Sequence, residues 1–357
     1  MNLGRLLRRS LFKQFVFLYP VCVLLLVLWN ESLIYYFCRF WWRIPEATSK
    51  NSLGVLLVAD PQLIGYKNEP HMVGPLTRWD SDRFLLKGFS HALSATNPDL
   101  IIFLGDLFDE GLEANDSELQ WTLSRFQEIF DCGTPKIFIS GDNDVGGEME
   151  PVQSILTTRF SKMFRSSFPL RNDIFNSLTI TEVNLMNGDV TKIRDSMAFP
   201  QTFVLLSHVP LAVPSYHDPG KFIAMLTPDL IFSAHEHKAA VHHISRSTFI
   251  SNSTSLTGVS GIQKTVVGRG SSIFEIQAPT CSYRMGVYDV GYEFVRLDRQ
   301  EGSDQIHVSL SLLWISTRFY ALILYAFLLI VGLMALIMRV GILIFSLKIR
   351  IRSTRRR

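Results

Sequence analysis

At 357 residues the chain is long enough for one large domain together with membrane-spanning segments. Hydrophobic residues make up 47% of it, and its four scattered cysteines have neither the spacing of a zinc site nor that of a small disulfide-rich protein. The net charge is +3, yet ten basic residues lie within the first 13 and the last 10 positions, so the rest of the chain carries about −7. This distribution argues against a nucleic-acid-binding core.

The N-terminal region predicts a membrane anchor. Residues 1–14 are basic, and residues 15–37 are predicted to form a transmembrane signal-anchor that combines an apolar run with an aromatic-rich stretch suited to lipid headgroups. A cleaved signal peptide would begin in the same way. No cleavage site of small residues follows Trp29, so we favour an uncleaved anchor.

Residues 49–305 contain no long apolar run and alternate strand-like with helix-like segments, which is typical of an α/β domain. Strands are predicted over residues 53–59, 101–104, 136–141, 178–185, 203–207 and 230–234. One helix capped by Asp80 or Ser81 and a second helix over about 116–130 are also predicted. The Ser/Gly/Thr-rich segment 251–272 is predicted to be a mobile loop.

The C-terminal region predicts a second membrane span. Residues 319–338 are uncharged, bounded by arginines and long enough to cross a bilayer, and residues 339–357 form a basic tail. Because basic flanks favour the cytosol, both termini are predicted to be cytosolic and the domain 49–305 lumenal. Glycosylation sequons at Asn115 and Asn252 agree with a lumenal domain, but their use stays open.

Polar side chains follow five of the predicted strands. They are Asp60, Asp106, Asp142, His208, and His235 with His237. Because ligands gather at the carboxyl ends of strands in α/β sheets, we expect these side chains at one edge of one sheet. Any one of them alone is more often a turn or cap residue, and the repetition is what favours a site.

This set of oxygen and nitrogen donors lacks a thiolate, which suits manganese, iron or zinc. Six donors are too many for one tetrahedral ion, so we predict two divalent ions that activate a water and clamp a phosphoryl group. Asp106 is predicted to bridge the ions. One ion would be held by Asp60 and His237, and the other by Asp142, His208 and His235.

The same residues resemble the signature of a known family. Calcineurin-like metallophosphoesterases share, in this order, motifs that resemble Asp60-x-Gln62, Gly105-Asp106-x-x-Asp109, Gly141-Asp142-Asn143-Asp144, His208 and His235-x-His237. The GDLFDEG variant, the two flanking membrane segments and the stretch 279–284 resemble, more narrowly, the GPI-anchor-remodelling ethanolamine-phosphate phosphodiesterases. This resemblance implies a four-layer α/β sandwich, two mixed sheets flanked by helices, between two transmembrane helices. It also implies two divalent ions, with manganese preferred.

Three positions depart from the family pattern. Gln62 stands in place of a histidine ligand, and its neutral amide oxygen, if it coordinates, favours manganese or magnesium over zinc. Asp142 replaces a neutral asparagine, and a third carboxylate should raise the pKa of a metal-bound water. Asn143 replaces the histidine expected at the catalytic position, where an amide cannot act as a general acid. Losing such a group typically costs ~10²–10⁴ in rate.

The resemblance implies a function and a location. It predicts removal of ethanolamine phosphate from a GPI-anchor mannose, which assists transport of GPI-anchored proteins from the endoplasmic reticulum to the Golgi. Implied partners are GPI-anchored proteins or their glycan, the membrane and vesicle-sorting receptors, with no nucleic acid. The implied location is endoplasmic reticulum exit sites, the intermediate compartment or the cis-Golgi membrane. Two alternatives stay open: a weakly active metal-binding escort protein, and a lumenal glycoprotein phosphatase.

Overall fold

The computed structural model describes residues 3–147, 150–169, 172–184, 189–194, 202–213, 219–268, 272–300 and 302–354. The chain forms two compact units. The terminal unit consists of Met1–Ile34 and Thr317–Arg357, and the central unit consists of Tyr35–Ser316.

The terminal unit is helical. Its N-terminal part contains α1 (Leu3–Leu28) and a π-helical turn (Trp29–Leu33), and its C-terminal part contains α9 (Arg318–Thr354). The windows Gln14–Trp41 and Arg318–Lys348 are long and apolar enough to cross a membrane, which fits a two-pass membrane protein.

A polar contact joins the two parts of the terminal unit. A guanidinium nitrogen of Arg318 lies 2.6 Å from a carboxylate oxygen of Glu31, and the Tyr325 hydroxyl donates to the same carboxylate at 2.9 Å. A carboxylate inside an apolar helix is costly unless it is paired. These partners therefore explain how the apolar window Gln14–Trp41 accommodates the charged side chain of Glu31.

Thirteen strands are described in the central unit: β1 (Asn51–Val58), β2 (Leu100–Leu104), β3 (Lys136–Ile139), β4 (Leu178–Asn184), β5 (Asp189–Arg194), β6 (Thr202–Ser207), β7 (Leu230–Ser233), β8 (Ala240–Ile244), β9 (Ser251–Ser255), β10 (Ile262–Val267), β11 (Ile273–Gln277), β12 (Val290–Arg299) and β13 (Ile306–Ile315). Its described helices are α2 (Ile34–Trp41, from Tyr35 onward), α3 (Gly74–Thr96), α4 (Asp116–Ile129), α5 (Asp142–Val145), α6 (Ser154–Met163), α7 (Asp173–Asn176), α8 (Pro219–Leu226) and a 3-10 turn (Tyr283–Met285).

The strands form two mixed sheets. The first has the order β10-β13-β12-β1-β2-β3, and the second has the order β5-β4-β6-β7-β11-β8-β9. Within the first sheet β1, β2 and β3 are parallel, and within the second β4, β6, β7 and β11 are parallel. One apolar cluster contains residues from both sheets, among them Leu57, Ile102, Leu206 and Phe232, so the main core lies between them.

Helices cover the outer faces of both sheets. On the first sheet, the Phe103 ring of β2 packs 5.3 Å from Phe126 and 5.2 Å from Phe130 at the end of α4. On the second, Phe222 of α8 joins a separate apolar cluster with Leu205. The four-layer sandwich is therefore confirmed. The expectation that all donors lie on one sheet is wrong, because β1–β3 and β6–β7 belong to different sheets.

Local structure corrects two further expectations. Helix α3 begins at Gly74 rather than near Asp80, because Pro75 occupies its first turn, where a missing backbone N–H costs nothing. The segment predicted as a mobile loop contains strands β9 and β10, which pair with β8 and β13 as edge strands. Their side chains are mostly exposed, which explains why the segment carries few apolar residues.

The cysteines are unpaired. Spacing alone does not decide whether Cys132 and Cys281 form a disulfide, and in the structure both are free thiols. Cys281 is buried, and burial raises the pKa of its thiol well above 9.0. This agrees with an unreactive structural thiol.

A buried acid in β12 provides a test of the fold. Glu293 is fully buried, and among the described residues neither of its carboxyl oxygens has a hydrogen-bond partner. Burial therefore raises the pKa of Glu293 well above its ordinary value of 4.5. The folded state keeps this proton, whereas the unfolded chain releases it above about pH 4.5, so the carboxyl costs increasing stability as pH rises.

We predict that Glu293→Gln raises the free energy of unfolding at pH 8 by roughly 1–3 kcal/mol, because the neutral amide has no proton to release on unfolding and a tenfold difference in proton affinity between the two states is worth about 1.4 kcal/mol. At pH 4 the variant and the native protein should be equally stable. The measurement is denaturant unfolding at both pH values. Glu128→Gln, which changes an exposed carboxylate of α4, is the matched control and should leave the free energy of unfolding unaltered at both pH values. Equal stabilities of Glu293→Gln and native protein at pH 8 would contradict the prediction.

Candidate metal centre

The predicted donors converge between the carboxyl ends of strands from the two sheets. Asp60 follows β1, Asp106 follows β2, Asp142 opens α5 after β3, His208 follows β6 and His235 follows β7. Two groups of three have ligand atoms within 4.8 Å of one another: Asp60, Asp106 and His208 in one, and Asp142, His208 and His235 in the other. His208 belongs to both groups, so it lies at their junction.

Two glycines allow this convergence. Gly105 has φ +94°, and a Cβ atom there would lie 2.6 Å from Nδ1 of His208 and 2.8 Å from the backbone nitrogen of Gly141. A Cβ atom on Gly141 would collide with the carboxylate of Asp106. The glycines in the two Gly-Asp motifs are therefore required by close approach of neighbouring loops.

Backbone strain is concentrated at the site. Positive φ values occur at these candidate residues: Asp60 (48°), Gln62 (39°), Asp106 (51°), His235 (69°) and His237 (59°). A non-glycine residue in this region costs of order 1–3 kcal/mol and persists only where the surroundings hold it. The folded state is therefore less stable than it would be with relaxed backbone at these positions, and the strained backbone directs the side chains into the site.

The carboxylate of Asp106 is held by three hydrogen bonds. The backbone N–H of Asn143 donates to Oδ1 at 3.0 Å, while the side-chain amides of Asn143 and Gln62 both donate to Oδ2 at 2.9 Å. Gln62 was predicted as a possible metal ligand, and Asn143 as the residue at the catalytic position. In the structure both side chains orient Asp106.

The orientation of His208 is fixed by the backbone. Its Nδ1–H donates to the carbonyl of Leu104 at 2.7 Å, so Nε2 faces the site, 3.0 Å from Oδ1 of Asp142 and 3.5 Å from Oδ1 of Asp106. A backbone acceptor for the second ring nitrogen is the usual arrangement of a metal-binding histidine.

The last two histidines occupy different positions. Nδ1 of His235 lies 3.1 Å from Oδ1 of Asp142 and 3.3 Å from Nε2 of His208. His237 lies outside both donor groups that the described residues form. Burial, followed by the neighbouring His208 and His235, lowers the pKa of His237 to about 4, which leaves it neutral at pH 7. Its role as a ligand stays a prediction.

Electrostatics favour a cation here. Both carboxyl oxygens of Asp60 are buried and have no hydrogen-bond partner among the described residues. Burial raises the pKa of Asp60 to about 8, with further increases from Asp106 and Asp142 against a decrease from His208. Burial also raises the pKa of Asp106. Burial opposes ionisation of Asp142 as well, but its hydrogen bonds with His208 and His235 outweigh this and lower its pKa.

The donor set therefore fits divalent metal ions. An unpartnered buried carboxylate, two further carboxylates and imidazole nitrogens supply oxygen and nitrogen ligands without a thiolate. Their negative charge is crowded in a space with little solvent, where a cation is strongly favoured. The donor residues present in this site fit two divalent ions. Their chemistry alone does not select manganese over other divalent metals.

Sequence reasoning missed the supporting role of Asp144. Its buried carboxylate accepts from the backbone N–H groups of Leu107, Phe108 and Gly141 at 2.9–3.2 Å. These bonds fix the loop after β2 against the loop after β3. Burial and the charge of Asp106 raise the pKa of Asp144 to about 7. The position of Asp144 in the Gly141-Asp142-Asn143-Asp144 motif is the sequence feature from which this supporting role could have been predicted.

The segment 279–284 also supports the site. The Thr280 hydroxyl donates to the carbonyl of Asp60 at 2.9 Å, and Tyr283 donates to the carboxylate of Asp80 in α3 at 2.9 Å. Arg284 forms an ion pair with Glu69 in the loop after β1. The segment noted for its family resemblance therefore connects the Asp60 loop to α3.

We predict that Asp106→Asn lowers bound metal to one equivalent or fewer per chain, because the charge in the group with Asp60 and His208 is halved. Elemental analysis of the purified full-length protein provides the measurement. Asp131→Asn, which changes an exposed carboxylate, is the control and should leave the metal content unaltered. Two equivalents retained by a folded Asp106→Asn protein would rule out the bridging role.

Comparison with known proteins agrees with this geometry. The family model described as calcineurin-like phosphoesterase matches residues 53–239. Cell division control protein 1 of Saccharomyces cerevisiae is 29% identical over 225 residues, covering 57% of this chain and 44% of the relative. Metallophosphoesterase 1 of Mus musculus is 28% identical over 179 residues, covering 47% and 43%. The chain thus spans less than half the length of these relatives.

Among solved structures, a metallophosphoesterase from Sphaerobacter thermophilus is 12% identical with a TM-score of 0.34, and the match covers 73% of this chain and 88% of that one. The family model, in contrast, covers more than half of the chain and includes every candidate metal ligand. The chain belongs to the calcineurin-like phosphoesterase family.

Proposed function

We propose that this chain is a metal-dependent phosphoester hydrolase that removes ethanolamine phosphate from a mannose of GPI anchors. The observation that carries the hydrolase proposal is the pair of donor groups that meet at His208. Two divalent ions in such a site would activate a water and neutralise charge on a phosphoryl group. The diester substrate rests on the resemblance of GDLFDEG and of the segment 279–284 to the GPI-remodelling branch.

The chain's own residues have separable roles in this proposal. Asp60, Asp106, Asp142, His208 and His235 would hold the ions. The amides of Gln62 and Asn143 orient the Asp106 carboxylate. Since an amide cannot donate a proton as a general acid, Asn143 can offer only a hydrogen bond to a leaving oxygen.

The proposed location follows from the two apolar helices. They fit a two-pass membrane protein, and the basic flanks of the sequence favour a lumenal central unit. Together with the proposed substrate, these features support a proposed location at endoplasmic reticulum exit sites, the intermediate compartment or the cis-Golgi membrane. GPI-anchored proteins and vesicle-sorting receptors are its proposed partners.

A specific observation favours a second candidate, a weakly active metal-binding escort protein. The side chains of Gln62 and Asn143 are both engaged with one carboxylate oxygen of Asp106. In this arrangement Gln62 does not supply the histidine ligand that the resemblance implies at its position, and Asn143 does not supply the implied acid–base group. Such a site retains the means to bind metal while losing part of its catalytic chemistry.

Hydrolysis is tested with the full-length protein, loaded with manganese in detergent. We expect release of ethanolamine phosphate from a purified GPI-anchored protein and loss of that release in Asp106→Asn. Preferential turnover of a phosphomonoester would instead favour the lumenal phosphatase. Full metal loading without turnover of either ester would reject the hydrolase and favour the escort protein.

We predict that Asn143→His raises turnover of an alkyl sugar diester by ~10² or more, because it adds a group able to protonate the leaving oxygen. An activated aryl diester, whose leaving group needs no proton, should change little. Initial rates on both substrates provide the measurement. Asn143→Ala is the control, since it removes the hydrogen bond to Asp106 without adding an acid. An unaltered alkyl rate in metal-loaded Asn143→His would contradict an acid-limited reaction.

A further inference from the structure

The outer face of helix α3 is apolar and exposed. Met72, just before the helix, is 95% exposed, and Leu76, Trp79 and Leu86 on the helix are 63%, 55% and 42% exposed. The spacing from Leu76 to Trp79 and on to Leu86 places all three on one side of the helix, opposite the buried side that contains Leu85. With a rise of 1.5 Å per residue, this strip is roughly 15 Å long between Leu76 and Leu86. We call it the α3 strip.

Basic side chains accompany the α3 strip. The guanidinium of Arg83 lies over the Trp79 ring at 5.3 Å, and Nζ of Lys87 lies over the Tyr35 ring at 5.6 Å. Positions 76, 79, 83, 86, 87 and 90 of this face carry no acidic residue. Tryptophan, leucine and long basic side chains on one helix face are the composition of helices that lie in a lipid headgroup layer.

The α3 strip is continuous with the points where the chain enters and leaves the central unit. At the entry, the Tyr35 ring stacks on His91 of α3 at 5.6 Å, and Arg39 donates to Ser94 at 3.2 Å. At the exit, strand β13 ends at Ile315, whose side chain would contact a Cβ atom on Gly88. Tyr35 and Ile315, which lie at the two ends of the central unit, are therefore both beside α3.

The first turns of the central unit extend the same surface. Tyr36, Phe37, Phe40 and Trp41 of α2 are each at least half exposed, and all belong to the apolar window Gln14–Trp41. A soluble surface rarely exposes so many large apolar side chains in continuity, and such patches mark interaction sites.

We propose that the α3 strip lies on a lipid bilayer, with Leu76, Trp79 and Leu86 at the boundary between headgroups and acyl chains. The basic side chains of Arg83 and Lys87 reach lipid phosphates at the same depth. Three observations favour lipid over a protein partner: the composition of the face, its lack of acids, and its contacts with the two ends of the central unit, each of which is followed along the chain by an apolar window.

Membrane docking of the α3 strip would also determine which side of the metal centre lies near the membrane. The loop that precedes α3 contains Glu69, whose partner Arg284 belongs to the segment that contacts the Asp60 loop. Docking of the α3 strip would hold this side of the site near the membrane surface. The site would then face substrates carried by lipid anchors, a consequence that rests on the proposed function.

The test uses the full-length protein in phosphatidylcholine vesicles with an environment-sensitive NBD label. Leu76→Cys carries the label, in a background where Cys22, Cys38 and Cys132 are replaced by serine and the buried Cys281 is kept. Ile155→Cys on α6, where the native side chain is 72% exposed and apolar, is the matched control. Emission, quenching by doxyl-labelled lipid and quenching by aqueous iodide are recorded for both positions.

We expect blue-shifted emission at position 76, at least twofold quenching by doxyl lipid and protection from iodide, with none of these at position 155. Equal behaviour of the two positions would overturn the proposal. Protection from iodide without doxyl quenching would also overturn it, because a protein surface would then cover the strip. These readouts require no turnover, so failure of the proposed hydrolysis would leave their interpretation unchanged.

Discussion

The structure depends on the crowding of carboxylates in a space with little solvent. Asp60, Asp106 and Asp142 lie around His208, and burial raises the pKa of the first two. Carboxylates in such a site are stable only when they are protonated or balanced by positive charge. Bound metal ions would balance this charge and would also give the unpartnered oxygens of Asp60 a ligand role. The convergence of these side chains therefore fits a metal-binding protein.

Much of the surrounding structure serves to keep these groups together. Gly105 and Gly141 let two loops approach to a distance that any side chain would prevent. The carboxylate of Asp144 joins the same two loops through backbone hydrogen bonds. Thr280 holds the carbonyl of Asp60 from a third direction. The strained φ values at the site persist because these contacts outweigh their cost.

The sequence predicted the donors because each follows an apolar strand, and strand ends meet at ligand sites in α/β folds. It did not predict that two sheets supply them, because periodicity marks strands without saying which strands pair. It also missed β9 and β10, since exposed edge strands such as 251–255 lack an apolar pattern. The hydrogen-bonding role of Gln62 was missed for a similar reason, because it depends on its distance to Asp106.

The departures from the family pattern are connected in space. Gln62 and Asn143, which stand where the resemblance implies histidines, donate to the same oxygen of Asp106. These two neutral amides fix that carboxylate without adding positive charge, whereas a protonated imidazole at position 143 would place a positive charge beside it. Asp142 adds a third negative charge to the centre, which favours cation binding but lowers the acidity of a metal-bound water. Together the three changes retain the negative charge that binds metal ions but remove a group able to transfer a proton. We therefore expect metal affinity to be retained in this protein while the catalytic rate is lowered.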